Sequence, residues 1–112
     1  MELRQLAYFV AVAEEGGFTR GAQREHVVQS TMSAAVGRLE HELGQSLFRR
    51  IGHRIELTEA GVLLLEKARS LLSATEDIKD QLNSLHGEVH GTVTLGTVLS
   101  TGSFDLPAAL VE

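Results

Sequence analysis

Leu64, Ala68, Leu71, Thr75, Ile78, Leu82 and Leu85 follow one another at alternating steps of four and three. That spacing keeps all seven on one stripe of an α-helix for about three heptads. Thr58 stands where it would cap such a helix, and Glu59 falls in the first turn, where a negative charge is favoured. A helix over 59–86 would be ~42 Å long. The 112-residue chain holds no second long helix on which to bury the stripe. The stripe therefore calls for a second chain, most simply in a symmetric dimer. The alternative is a helix packed on a domain that this chain lacks. Leu63, Leu65 and Leu72 lie off the stripe, so one end is also expected to pack on its own domain.

Composition narrows the classes further. There is no cysteine, which excludes a disulfide frame and a thiolate metal site and suits a reducing cytosol. No apolar run approaches the ~20 residues that span a bilayer. The start, MELRQLAYF, reads as a helix and lacks the basic and apolar regions of a leader. These features predict a soluble, cytoplasmic protein with no membrane partner. The net charge of -5 argues at first against nucleic acid. Residues 1–58, however, carry seven Arg and seven Glu, which cancel, so the acidity belongs to residues 59–112. An Arg-bearing half joined to an acidic half suggests two jobs.

Taken in order, residues 2–15 place Leu3, Leu6, Val10 and Ala13 on one stripe beside Tyr8 and Phe9, an amphipathic helix ended by Gly16-Gly17. Thr19 is placed to cap a short second helix through about Glu25. His26-Val27-Val28 reads as a tight connection. From Gln29 to Gly44, Met32, Val36, Leu39 and Leu43 line one helical face, and Gly44 is a stop. The other face carries Gln29, Ser30, Ser33, Ala34, Gly37 and Arg38, all small or basic. It suits close approach to a grooved partner such as DNA, or simply solvent. Three helices with the last two closely joined describe a helix-turn-helix. Next, Leu47–Ile51 and Arg54–Leu57 flank Gly52-His53, which reads as a hairpin. Arg49, Arg50, His53 and Arg54 crowd it, as expected of a wing whose arginines meet phosphates or the minor groove.

Beyond the long helix, Gly87 and Gly91 read as helix breakers. Thr92–Val98 reads as a strand, and Leu106–Glu112 as a helix with Pro107 in its first turn. That is the opening of an α/β domain, cut short at Glu112. The predicted fold class is thus mainly α: a winged helix-turn-helix over 1–58, a dimerisation helix over 59–88, and the first strand and helix of a truncated α/β domain over 89–112. No catalytic constellation emerges, and no cofactor or metal is called for. His86, Glu88 and His90 would share a helix face, but the flanking glycines favour a solvated hinge. Gly96 to Ser103 lacks the Lys of a phosphate-binding loop, and Ser100 has no His–Asp partnership. Glu14-Glu15 and the pair Asp77 and Asp80 read as solvated faces.

The runs MELRQLAYFVAVAEEGGFTR, QSTMSAAVGRLEHELGQSLFRR and IELTEAG, in this order, resemble the amino-terminal domain of LysR-type transcriptional regulators. The resemblance is dense over 1–61, and the long helix and the strand opening at Thr92 agree with that family's linker helix and effector domain. It implies sequence-specific binding to double-stranded DNA, a homodimer through the linker helix or a tetramer, and a small-molecule effector in a full-length form. By position, Gln29, Thr31, Ser33 and Ala34 fall where the family's recognition helix faces DNA. Arg38 lies one turn further, and His53 and Arg54 sit at the wing tip. Ser100 and Thr101 fall where hydroxyl ligands for a small acid are often found.

Several positions depart from that pattern. Val28 replaces a Ser or Thr cap, at a cost of ~1 kcal/mol. Ser30 replaces Pro and would cap a later helix start. Glu25 replaces a Leu that packs under the turn, and would be costly if buried unpaired. Gly21 and Gly37 each cost up to ~1 kcal/mol of helix propensity. Ala34 and Gly37 remove longer side chains from the DNA face. These changes predict weaker binding than in a typical relative. They also motivate a second reading, a dimerisation module that has lost DNA binding and pairs with a full-length relative.

Overall fold

The computed structural model describes the backbone of residues 1–91 and the side chains of residues 1–85. The strand expected over 92–98, the helix expected over 106–112, and Ser100 and Thr101 lie outside the described residues. Three helices come first: α1 (Leu3–Glu15), α2 (Phe18–Glu25) and α3 (Gln29–Leu43). A two-stranded hairpin of β1 (Phe48–Ile51) and β2 (Arg54–Leu57) follows, then α4 (Glu59–Gly91). The chain divides into two units, Met1–Ala74 and Thr75–Glu112.

The helix ends follow from local chemistry. The Glu2 N–H donates to Oε1 of Gln5 at 2.9 Å, and Gly16 closes α1 with a left-handed φ of 80°. Thr19 does not cap α2. Gly17 holds that place, and Thr19 sits inside the first turn. Its hydroxyl reaches across to Gln29 instead. His26 ends α2 in the left-handed region, φ 61°, which lets the chain turn into α3 within three residues. Val28 is the N-cap of α3 and supplies no side-chain bond, as its chemistry requires. Ser30 does not cap a later start, because α3 already begins at Gln29. Thr58 caps α4: its Oγ1 accepts the Gly61 N–H at 3.0 Å. Gly87 does not break α4, whose backbone is helical to Gly91. A helical glycine costs about 1 kcal/mol, which weakens a helix without forbidding it.

In the first unit α1 is the core element. One side of it meets Leu39, Leu47 and Ala68 through Leu6, Phe9 and Val10. The other side meets Ala22, Met32 and Val36 through Val12. Burial on both sides explains why α1 buries Phe9, Ala11 and Val12 beyond the stripe read from the sequence, whereas Leu3 of that stripe stays exposed at the helix start. Phe48 belongs to both clusters, with its ring 5.3 Å from that of Phe9 and 5.7 Å from that of Phe18. It pins the hairpin to the helices. Two glycines permit close approach. A Cβ on Gly21 would lie 2.9 Å from Cγ2 of Val12, and one on Gly61 only 2.2 Å from the Leu47 carbonyl oxygen.

The seven-residue seam of α4 is divided rather than uniform. Ala68 is wholly buried in the core of its own unit, and Leu64 packs against that core. Ala68 therefore has no surface left for a partner chain, a correction to the dimer stripe. Leu65 and Leu72 pack inward as expected, whereas Leu63 is exposed. Leu71 remains about half exposed. In the second unit, Ile78, Leu82 and Leu85 are each more than half exposed. No described helix is long and apolar enough to cross a membrane.

Candidate nucleic-acid interface

Burying Met32, Ala35, Val36 and Leu39 turns the opposite face of α3 outward. Gln29, Ser30, Thr31, Ala34 and Arg38 are exposed there, and Ser33 is half-buried. The start of α3 carries no side-chain cap, and the Val28 carbonyl oxygen accepts the Thr31 N–H at 3.1 Å and the Met32 N–H at 3.2 Å. Uncapped amides at a helix start attract anions. Gln29 is oriented from the neighbouring helix, since the Thr19 hydroxyl donates to its Oε1 at 3.1 Å. Among the described residues the Gln29 Nε2 makes no hydrogen bond, which leaves its hydrogens for an outside partner.

Two grooves flank this face. The first, about 320 Å³, is lined by Thr19, Arg20, Gln29, Arg50 and His53, among others. It joins the start of α3 to the wing. The second, about 310 Å³, is lined by Arg4, Tyr8, Thr31, Ala35 and Arg38, with Glu2 and Gln5. The sequence reading did not single out Arg4 or Arg20. Each stands in the first turn of a helix, where a cation is disfavoured by the helix dipole. That misplacement was the available signal.

The hairpin register divides the basic wing. Phe48 pairs with Leu57 and Arg50 with Ile55, whereas Arg49 pairs with Glu56 and Ile51 with Arg54. Side chains alternate along a strand. Arg50 therefore shares the inward side with Phe48, and its guanidinium lies 5.4 Å from the centroid of the Phe18 ring. Arg49 and Arg54 belong to the outward side, and neither lines the groove that holds Arg50 and His53. The four basic residues that looked like one cluster are two sets. The base of the wing is tied to α3 by Glu40, whose Oε2 accepts the Leu47 N–H at 2.8 Å and the Phe48 N–H at 3.3 Å. Nothing in the sequence pattern marks Glu40, because its partners are backbone amides.

Ion pairing separates the arginines. Arg24 is held by Glu14 and Glu15, and Arg69 by Glu14. Arg4, Arg20, Arg38, Arg49, Arg50 and Arg54 make no ion pair among the described residues. All six are exposed, and four of them line the two grooves beside α3. Glu25, which would be costly if sealed in, is only partly covered and lies 4.0 Å from Arg24. No group of His, Asp or Glu among the described residues could hold a metal ion.

Comparison with known proteins agrees with this geometry. Residues 3–62 match the family described as bacterial regulatory helix-turn-helix protein, lysR family. The chain is 42% identical over 107 residues to an HTH-type transcriptional regulator in the ibpB–leuC intergenic region of Azotobacter vinelandii. That match covers 96% of this chain and 74% of the relative. It is 47% identical over 76 residues to the HTH-type transcriptional regulator TfdT of Cupriavidus pinatubonensis, covering 68% of this chain and 33% of TfdT. Among solved structures, the DNA-binding domain of CbnR in complex with DNA superposes with a TM-score of 0.70 at 41% identity. It covers 77% of this chain and 99% of that one.

Proposed function

The chain belongs to the lysR family of bacterial regulatory helix-turn-helix proteins and carries that family's DNA-binding domain, and we propose that it acts in the cytoplasm as a dimeric, sequence-specific transcriptional regulator rather than as an enzyme. The observation that supports this most is the sorting of arginines. Two are neutralised by carboxylates, and six, which make no ion pair among the described residues, stand around the exposed face of α3 and on the wing. Unpaired guanidinium groups are what a phosphate backbone requires. In this reading α3 enters the major groove. Gln29 pairs with a base edge, and Ser30, Thr31 and Ser33 bond bases or phosphates. Arg20, Arg50 and His53 hold one stretch of backbone, Arg4 and Arg38 another, and Arg49 and Arg54 extend the wing contact. The exposed stripe of Leu71, Ile78, Leu82 and Leu85 joins two copies, with tetramers as a further step. A small-molecule effector, with Ser100 and Thr101 among its ligands, belongs to a full-length form.

Anisotropy titrations over a salt series test the reading. Arg54→Ala should weaken all duplexes alike and lower the salt slope by about one. Gln29→Ala should change which sequences are preferred. If neither substitution alters binding, these roles are wrong. A second reading is favoured by the bare surface of α3, where Val28 gives no cap and Ala34 and Gly37 present almost no side chain. It is a dimerisation module that pairs with a full-length relative. Absence of salt-dependent binding by the isolated chain would select it.

A further inference from the structure

Glu14, near the end of α1, is where two arginines from different helices converge. Its Oε1 lies 2.8 Å from Nη2 of Arg24 in α2, and its Oε2 lies 2.8 Å from Nε of Arg69 in α4. Arg24 has two further carboxylates, Glu15 at 3.3 Å and Glu25 at 4.0 Å. Arg69 has Glu14 alone among the described residues. Glu14, Arg24 and Arg69 line neither of the grooves beside α3, although Glu15 lines the first. The neighbouring residue, Ala68, is the point at which α4 enters the core, against Leu6, Phe9 and Val10. A methyl group sets how closely two helices approach, but it gives little resistance to rolling. A guanidinium–carboxylate bond is directional and resists it.

We propose that the Glu14–Arg69 ion pair fixes the rotational setting of the first half of α4 on the helix-turn-helix, and so selects the half-site spacing that the dimer accepts on DNA. The proposal rests on the dimeric DNA-binding function above. In a dimer joined through α4, the separation of the two α3 helices depends on how each domain is set upon its own α4. Half-site spacing mirrors that separation. Glu14 and Arg69 are positioning residues and touch no DNA. An exposed ion pair shifts an equilibrium by up to about fivefold, enough to sharpen a choice between neighbouring spacings without being needed for folding.

The test is selection of bound sequences from a pool of random duplexes, using the 112-residue chain and its variants, with circular dichroism confirming the fold of each. The unaltered chain should enrich paired half-sites at one dominant spacing. Arg69→Met should enrich the same half-site sequence spread over several spacings, with the dominant share falling by about two- to fivefold. Arg69→Lys should restore much of the sharpness. Arg24→Met removes an ion pair from the same carboxylate without touching α4, and should leave the spacing sharp. An unchanged spacing profile for Arg69→Met overturns the proposal. So does equal broadening by Arg24→Met, which would make the effect one of general loosening. Failure of the unaltered chain to enrich any half-site overturns the DNA-binding function itself, and the proposal falls with it.

Discussion

Gly21 and Gly37 lie in neighbouring helices, and the sequence charges both the same loss of helix propensity. Their surroundings give them opposite meanings. Gly21 is pressed against Val12, with an added Cβ 2.9 Å from a methyl and 3.0 Å from backbone atoms, whereas Gly37 faces open space. Gly21→Ala should lower stability by about 1–3 kcal/mol through overpacking of α1 on α2. Gly37→Ala should raise it by up to about 1 kcal/mol. Urea unfolding of the two variants side by side would show opposite signs. Glu40 is the other residue whose value is set by contact. It accepts two backbone amides at the root of the wing, and Glu40→Ala leaves the Leu47 and Phe48 N–H groups without that partner. The expected cost is about 1–3 kcal/mol, read by thermal melting.

At the scale of elements, α4 serves two surfaces with one sequence. Gly61, Leu65, Ala68 and Leu72 recur at steps of four, three and four and turn one side inward. Gly61 is required where α4 starts, since its α-carbon passes against the Leu47 carbonyl. Leu71, Ile78, Leu82 and Leu85 remain exposed. Single surface apolar residues are ordinary, but Leu71, Ile78, Leu82 and Leu85, at steps of seven, four and three, fall on one heptad stripe of α4. Leu82→Glu should place a charge within the proposed dimer seam and yield a monomer by sedimentation, while Met1–Ala74 keeps its fold. A melting temperature that rises with protein concentration for the unaltered chain, and stops doing so for Leu82→Glu, would confirm the coupling of association to stability. A Leu82→Glu chain that stays dimeric would remove α4 from the interface.

For the molecule as a whole, the ion pairs around Glu14 link three helices and make stability depend on acidity. The hydrogen bond from Arg69 is the largest cause holding the Glu14 carboxyl below its ordinary range. Arg24 adds to it, and partial burial opposes both. A carboxyl lowered in the folded state contributes stability above its ordinary value, and that contribution is lost as the pH falls through the lowered one. The melting temperature should therefore drop below about pH 4, and Glu14→Gln should flatten part of that drop. The same pairing explains how a chain of net charge -5 keeps a basic face. Glu14 and Glu15 neutralise Arg24 and Arg69, while the six arginines around α3 and the wing make no ion pair among the described residues.

The sequence alone determined the element order among the described residues, the hairpin with its Gly52-His53 turn, the Thr58 cap and the Met32, Val36 and Leu39 face of α3, from which the expected Leu43 is left exposed. Each depends on residues close in the chain, where spacing and capping chemistry act directly. It did not determine that Thr19 would reach Gln29 rather than cap α2, or that Glu25 would stay partly in solvent. Nor did it reveal that Ala68 belongs to the core while Leu71 does not. It gave the wing four basic residues without saying that the strand register puts Arg50 on one side and Arg49 and Arg54 on the other. It passed over Arg4, Arg20 and Glu40. All of these depend on which surfaces meet across the fold, and periodicity within one helix cannot tell a face that meets its own domain from one that awaits a partner. Packing α1 between two clusters settled that choice, and with it which arginines are left to face outward.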